Sequence, residues 1–216
     1  MNTRLSIFVV LILVLAAAAA SAIVYPDLPE TLASHWNEKG EVNGYMPRFW
    51  GAFLVPLILA GMAVLLFVVP LIDPLKANIA RFRRYYNILI VLLVVFMVYI
   101  HALTLAWNLG WDSFDMNVAL LPAMGLLFIF IGPLIRNAKR NFFIGIRTPW
   151  TLSSDRVWDE THRLGGIMFI ASGLLAMGGV FFGDLAVWFI LVPVLASTLF
   201  LVVYSYVLYQ REAGKK

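Results

Sequence analysis

Residues 5–24 read LSIFVVLILVLAAAAASAIV, twenty positions without a charge. At 1.5 Å of helical rise per residue, such a run crosses a hydrocarbon core of about 30 Å. Arg4 before it and Ala20-Ser21-Ala22 near its end have the look of a cleavable leader. The run is longer than the roughly 7–15 apolar residues of a signal core, however, and is read as a retained span. The composition agrees: 62% of the 216 residues are hydrophobic and 13% charged, where soluble domains carry about a quarter charged residues.

Five further apolar runs follow: Phe49–Val69, Tyr86–Trp107, Asn117–Ile135, Leu164–Phe182 and Leu185–Leu208. The expected fold is therefore an all-α integral membrane protein with six transmembrane helices. Pro56 falls in the first third of the second span, where it frees a carbonyl that neighbours must satisfy. Residues 71–85 carry Lys76, Arg81, Arg83 and Arg84 against Asp73 alone and fit an interfacial helix. Residues 25–48 form a loop punctuated by Pro26, Pro29, Gly40, Gly44 and Pro47. Short strands over Ala33–Asn37 and Glu41–Tyr45, joined through Glu38-Lys39-Gly40, would make a small hairpin there. This divides the chain into a two-span unit, 1–70, and a four-span unit, 71–216, with a second large loop at 136–163.

Cations in short loops set orientation. Of the 16 Lys and Arg residues only Lys39 and Arg48 fall on the side of the first loop; Lys215 and Lys216 join the rest. Both termini and loop 136–163 are thus expected in the cytoplasm, with loop 25–48 outside. Trp150 and Trp158 on the inner side, and Trp50, Trp107, Trp111 and Trp188 on the outer side, would form interfacial belts. In the fifth span, GGIMFIASGLLAMGGVFFG, Gly179 and Gly183 are four apart, as are Ser172 and Ala176, with Gly165, Gly166 and Gly173 nearby. Small residues at this spacing favour close helix packing inside the bundle, ahead of any pairing of two copies.

The least regular stretch, Asn141 to Gly166, reads NFFIGIRTPWTLSSDRVWDETHRLGG. Pro149 makes Thr148 extended and Gly145 breaks the segment, so its first half is expected to be non-helical. A helix then starts with Ser153 or Ser154 as cap and Asp155, Asp159 and Glu160 in its early turns. On it Asp159 and Arg163 would form an i,i+4 pair, while Trp158, His162 and Gly165 share a stripe and face one neighbour.

Several chemistries lack support. The absence of cysteine excludes disulfides, thiolate nucleophiles and iron–sulfur clusters. No acid lies deep in a span, as an ion-coupled pump would need, and His101 is the one such histidine, read as a neutral interhelical hydrogen-bonding group. His35, His101 and Asp112 could meet at the outer face as a metal site, but no spaced metal motif is present. No nucleotide-binding fingerprint occurs and no cofactor or nucleic-acid contact is expected.

Two stretches together resemble the SdpI family of bacterial membrane immunity proteins. One is Pro29, His35-Trp36-Asn37, Gly40 and Gly44-Tyr45 of the outer loop. The other comprises Asn141, Gly145-Ile146-Arg147-Thr148-Pro149-Trp150-Thr151-Leu152, Ser154, Val157-Trp158, Thr161-His162 and Gly165. The resemblance implies a multi-pass protein of the bacterial plasma membrane that shields its cell from a membrane-active peptide toxin. It further implies capture of a cytosolic transcriptional repressor, with the inner stretch as binding and signalling site and no catalytic residues. Asn43 stands where the family pattern leads one to expect an acid. The competing readings are a small-solute or lipid transporter, and an interfacial enzyme using His162 as general base beside Asp159 or Glu160.

Overall fold

The computed structural model describes residues 1–214; Lys215 and Lys216, counted above among the inner cations, lie outside them. The order is α1 (Thr3–Val24), β1 (Thr31–Trp36), β2 (Val42–Pro47), α2 (Arg48–Ile72), α3 (Lys76–Arg81), α4 (Arg83–Asn108), α5 (Met116–Asn137), α6 (Pro149–Ser153), α7 (Asp155–Gly178) and α8 (Trp188–Ala213). Six of these helices, α1, α2, α4, α5, α7 and α8, are long and apolar enough to cross a membrane. The interfacial helix expected over 71–85 shrinks to α3, because α2 continues through Pro70 to Ile72 and α4 begins at Arg83.

Side-chain contacts define two ends. Asn87 donates to the Met1 carbonyl and to Thr3 Oγ1, Asp73 accepts from the Phe142 N–H, and Ser154 donates to Glu212. These bring both termini and the loop before α7 to one end, here the terminal end. The β1–β2 hairpin occupies the other, where Asn108 and Asn117 bond to it.

Lipid supplies no hydrogen bonds, so a proline inside a span leaves the carbonyl four residues earlier in need of a donor. Helix α2 has two such prolines, Pro56 and Pro70. The carbonyl freed by Pro56 is that of Ala52, and Ser21 Oγ from α1 donates to it at 2.6 Å. The carbonyl freed by Pro70 is that of Leu66, and Tyr86 from α4 donates its hydroxyl there. Ser21 has a second partner, His101 Nε2 at 2.8 Å. With the serine proton committed to Ala52, His101 Nε2 must be the donor, which links α4, α1 and α2 at one depth and leaves His101 Nδ1 buried without a partner.

Helices α5 and α7 pack so closely that their glycines touch backbone. A Cβ on Gly125 would lie 2.7 Å from the Gly173 carbonyl, and one on Gly173 only 2.5 Å from that of Gly125; Gly132 and Gly166 stand in the same reciprocal relation. The expected Gly179–Gly183 pair divides. Gly179 opens a 3-10 turn and is close-packed on the start of the last span, where a Cβ would lie 3.0 Å from the Ala186 carbonyl, whereas Gly183, at φ +50°, meets nothing within 4 Å. The tight seam is set one helix face away, at Gly166 and Gly173, so α7 does pack centrally, between α5 and α8.

The hairpin is present, two residues earlier at the start of β1 and later at the end of β2 than read from the sequence. Thr31 pairs with Pro47 and Trp36 with Val42, with irregular register between. Leu32 is fully buried with Leu28, Ala52 and Leu105 and presses on Gly51. Asn108 satisfies the free edge of β1, accepting from the Ala33 N–H and donating to its carbonyl.

Ser21→Ala should cost about 1–2 kcal/mol, because it strands both the Ala52 carbonyl and the His101 N–H. In a Pro56→Ala background residue 56 regains an N–H for Ala52, and the cost should fall by roughly half. Unfolding titrations in mixed micelles of the four members of this cycle measure the coupling; strict additivity would show that Ser21 does not serve the freed carbonyl.

Candidate functional site

Between α5 and α7 the chain folds into a plate whose side chains consume one another's backbone groups. Asn141, fully buried, accepts at Oδ1 from the Phe143 and Ile144 N–H groups and donates from Nδ2 to the Lys139 and Ile144 carbonyls. All four of its hydrogen-bonding positions are thereby used. Asp73, 2% exposed, accepts from the N–H groups of Leu75 and Phe142, and Asn78 donates to the Arg140 carbonyl. The plate is thus stitched to the α2–α4 connection.

Its other side rests on α7. Trp158 is completely buried and donates Nε1–H to the Ala138 carbonyl. His162 stacks on it with ring centroids 3.9 Å apart. The Ile146 N–H donates to His162 Nε2, which must therefore be unprotonated, and the Nδ1–H donates to the Trp158 carbonyl. Gly145 adopts φ +111°, and a Cβ there would lie 2.4 Å from His162 Nε2. Only glycine lets the loop close over the imidazole.

Thr148 is extended, as Pro149 requires, but Pro149 then starts one turn of helix instead of preventing one. Thr148 and Thr151 form a reciprocal capping box, and proline at the first helical position gives up only a donor that had no partner. Thr148 also meets Ser205 of α8. Ser154, not Ser153, caps α7. The Asp159–Arg163 pair does not form. Asp159 instead faces Lys139 at 3.2 Å and Arg163 turns back to Glu160 at 2.6 Å. Arg140 Nε sits 2.7 Å from Asp155 without hydrogen-bond alignment, while its Nη1 donates to the Leu152 carbonyl.

The sequence-selected residues therefore separate into two sets. Asn141, Thr148, Trp158, Thr161, His162 and Gly165 are buried, Thr161 Oγ1 without a hydrogen-bond partner, and Gly145 is half-buried beneath them. Arg147 and Pro149 are exposed, together with Phe142 and Phe143, and Trp150 is half-buried against Tyr206. Trp158 is accordingly a core residue and no part of an interfacial belt. A general-base role for His162 also fails: both ring nitrogens hold backbone groups, and Asp159 and Glu160 are turned to cations. Sequence reasoning missed the anchoring roles of Asp73, Asn78, Ser205 and Glu212. The lone acid among four cations was the only available signal, and it pointed to Asp73.

At the hairpin end the second motif is also a construction of turns. Asn37 Oδ1 accepts from the Lys39 and Glu41 N–H groups, and its carbonyl accepts from Asn117. Gly40, at φ +78°, lies against Asp115, and Gly44 against His35. Trp36 packs edge-on to half-buried Trp107, which packs edge-on to Phe114. The Pro29 carbonyl accepts from Arg48 Nε. His35 Nδ1 bonds Asn43 Oδ1, so asparagine keeps a hydrogen bond where an acid would add charge. His35 and His101 share no site, one being held by Asn43 and the other by Ser21. Tyr45 and Trp111 are largely exposed, at 65% and 74%.

The clefts at mid-depth open sideways between helices and are lined by apolar side chains, Tyr99 excepted. Tyr99 spends its hydroxyl on the Ala119 carbonyl. Neither cleft offers a polar path in favour of the transporter reading.

Residues 137–206 match the SdpI/YfhL protein family, and residues 12–60 match the domain of unknown function DUF1648. The chain is 24% identical over 198 residues to the Immunity protein SdpI of Bacillus subtilis (strain 168), covering 91% of this chain and 92% of that relative. No solved structure matches.

If the imidazole holds the plate, His162→Ala should raise amide exchange at Ile146 by at least ~10-fold while leaving mid-span exchange in α4 unchanged. Gly145→Ala should do the same through steric conflict. Unaltered protection of Ile146 in either variant would refute the arrangement.

Proposed function

We propose that the chain, whose residues 137–206 match the SdpI/YfhL protein family, is a membrane immunity protein that protects its own cell against a membrane-active peptide toxin. What supports this reading is relatedness along nearly the whole chain to an immunity protein, with the two signature stretches folded at opposite ends of one helical bundle. A catalytic role is not part of it.

The terminal end is assigned to the cytoplasm, since of the described Lys and Arg residues only Lys39 and Arg48 belong to the hairpin end. The hairpin end then faces the medium and is the surface a toxin would meet. It offers exposed Tyr45, Trp50 and Trp111 among the acids Asp27, Glu30, Glu38, Glu41 and Asp112, a combination suited to a cationic, amphipathic peptide. The plate is the surface on which a cytosolic repressor would be held. Its exposed Phe142, Phe143, Arg147 and Pro149, with half-exposed Trp150, offer aromatic and arginine anchors of the kind that dominate protein interfaces. Buried Asn141, Trp158 and His162 act by fixing that surface.

The natural chain has no cysteine, which makes single-cysteine labelling clean. On intact cells a membrane-impermeant maleimide should modify Glu38→Cys and spare Arg147→Cys until the membrane is opened. The reverse pattern would invert the assignment of the two faces.

Expressed in a toxin-sensitive strain, the wild-type chain should raise survival above that of cells with empty vector. Tyr45→Ala/Trp111→Ala should lose protection at unchanged protein level, whereas Phe142→Ala/Arg147→Ala should retain it and lose only repressor recruitment to the membrane. Equal killing with and without the wild-type chain would remove the immunity reading.

A further inference from the structure

A groove at the terminal end holds about 610 Å3 between the start of α1, the end of α2, α3 and the start of α4. Lys76 and Arg83 line it together with Thr3, Leu71 and Ala80. Among the described residues neither cation has a carboxylate partner. Asp73, the one acid of this connection, is buried with its two oxygens taken by the Leu75 and Phe142 N–H groups. Arg83 uses Nε on Asn87 Oδ1 and lies 5.7 Å from the Tyr86 ring, so its side chain is positioned with both terminal nitrogens left to donate. A fixed guanidinium beside an ammonium is a donor set for phosphate oxygens.

A second cleft, of about 440 Å3, runs between α1 and α2 at membrane depth. It is lined by Ile7, Leu11 and Val14 on one side and Val64, Phe67 and Val68 on the other. Thr3, Ile7, Leu11 and Val14 are one stripe of α1, and Leu71, Val68, Val64 and Ala60 one stripe of α2. The cationic groove and the apolar furrow are therefore successive parts of the same seam, about a helical turn apart. A soluble phosphate compound would use only the upper part. An amphiphile with an anionic head and a long acyl chain uses both.

We propose that this seam is a binding site for one anionic phospholipid, its phosphate held by Lys76 and Arg83 and an acyl chain lying between α1 and α2. The occupant comes from the surrounding membrane, where the groove opens at headgroup level and the furrow opens sideways. The site is independent of the toxin-facing and repressor-facing surfaces.

Native mass spectrometry of the full chain in detergent, with phosphatidylglycerol or phosphatidylcholine of identical acyl chains, tests this directly. Wild type should retain the anionic lipid at least ~10-fold more than the neutral one, as two charge-assisted contacts allow. Lys76→Gln/Arg83→Gln should abolish that preference, while Arg211→Gln, which removes a cation from the same end outside the groove, should preserve it. Ala60→Phe fills the furrow with both cations intact and should also lower phosphatidylglycerol retention. Equal retention of the two lipids by wild type, or equal losses in the Arg211 and groove variants, would reduce the seam to general surface charge. Full retention in Ala60→Phe would overturn the acyl-chain part and leave a site for a phosphate group alone.

Discussion

Every backbone carbonyl and N–H inside this bundle must find a partner in the protein, because hydrocarbon supplies none, and that requirement explains most of its buried polar residues. Helix α2 breaks its own ladder at Pro56 and Pro70, and α1 and α4 supply the missing donors through Ser21 and Tyr86. An unpaired carbonyl costs about 1–3 kcal/mol, comparable to the gain from burying a large side chain. The prolines therefore select which neighbours can sit beside α2. They also explain why a histidine is tolerated at depth in α4, since His101 completes the pairing of Ser21.

The same requirement governs the plate at the terminal end. A loop that turns back on itself between α5 and α7 has few backbone partners of its own, so Asn141, Asp73, Thr148, Trp158 and His162 supply them. This is why a signature that looks like a catalytic or binding motif is mostly interior. Aromatic, histidine, asparagine and glycine residues at fixed spacing are what a tight, fully bonded loop needs. The three ion pairs on its surface contribute little beside that network, being part-exposed and screened.

Hydropathy made the six spans legible, and the turn residues made the hairpin legible, because both depend on local sequence. The shared face of Trp158 and His162 was legible for the same reason, as helical spacing fixes it. Partners that lie far apart in the chain were not. Nothing local to Asp73 says that its carboxylate accepts from Phe142, and nothing local to Asp159 says that Lys139 outcompetes Arg163. The glycine seam shows the limit most clearly: Gly179 and Gly183 have the better spacing, but only Gly166 and Gly173 face glycines on α5. Which face of a helix meets its neighbour is decided by the whole bundle.

That packing also constrains how the two ends can communicate. Helix α4 runs the full depth, with Asn108 gripping Ala33 of the hairpin and Asn87 gripping the start of α1. Nearer the hairpin end His101 ties it through Ser21 to α2, which the hairpin enters directly. Helices α5 and α7, pressed backbone to backbone, must move as a pair, because sliding one past the other would drive Gly132 and Gly166 off each other and onto larger side chains. The plate is carried on α7 and anchored to the α2–α4 connection by Asp73 and Asn78. The hairpin and the plate are thus joined through α2 and α4, with Asp73 and Asn78 as the contacts between their connection and the plate. The loop itself has little slack, since its buried hydrogen-bonding groups, Arg140 Nε and Thr161 Oγ1 of the adjoining helix apart, are already committed.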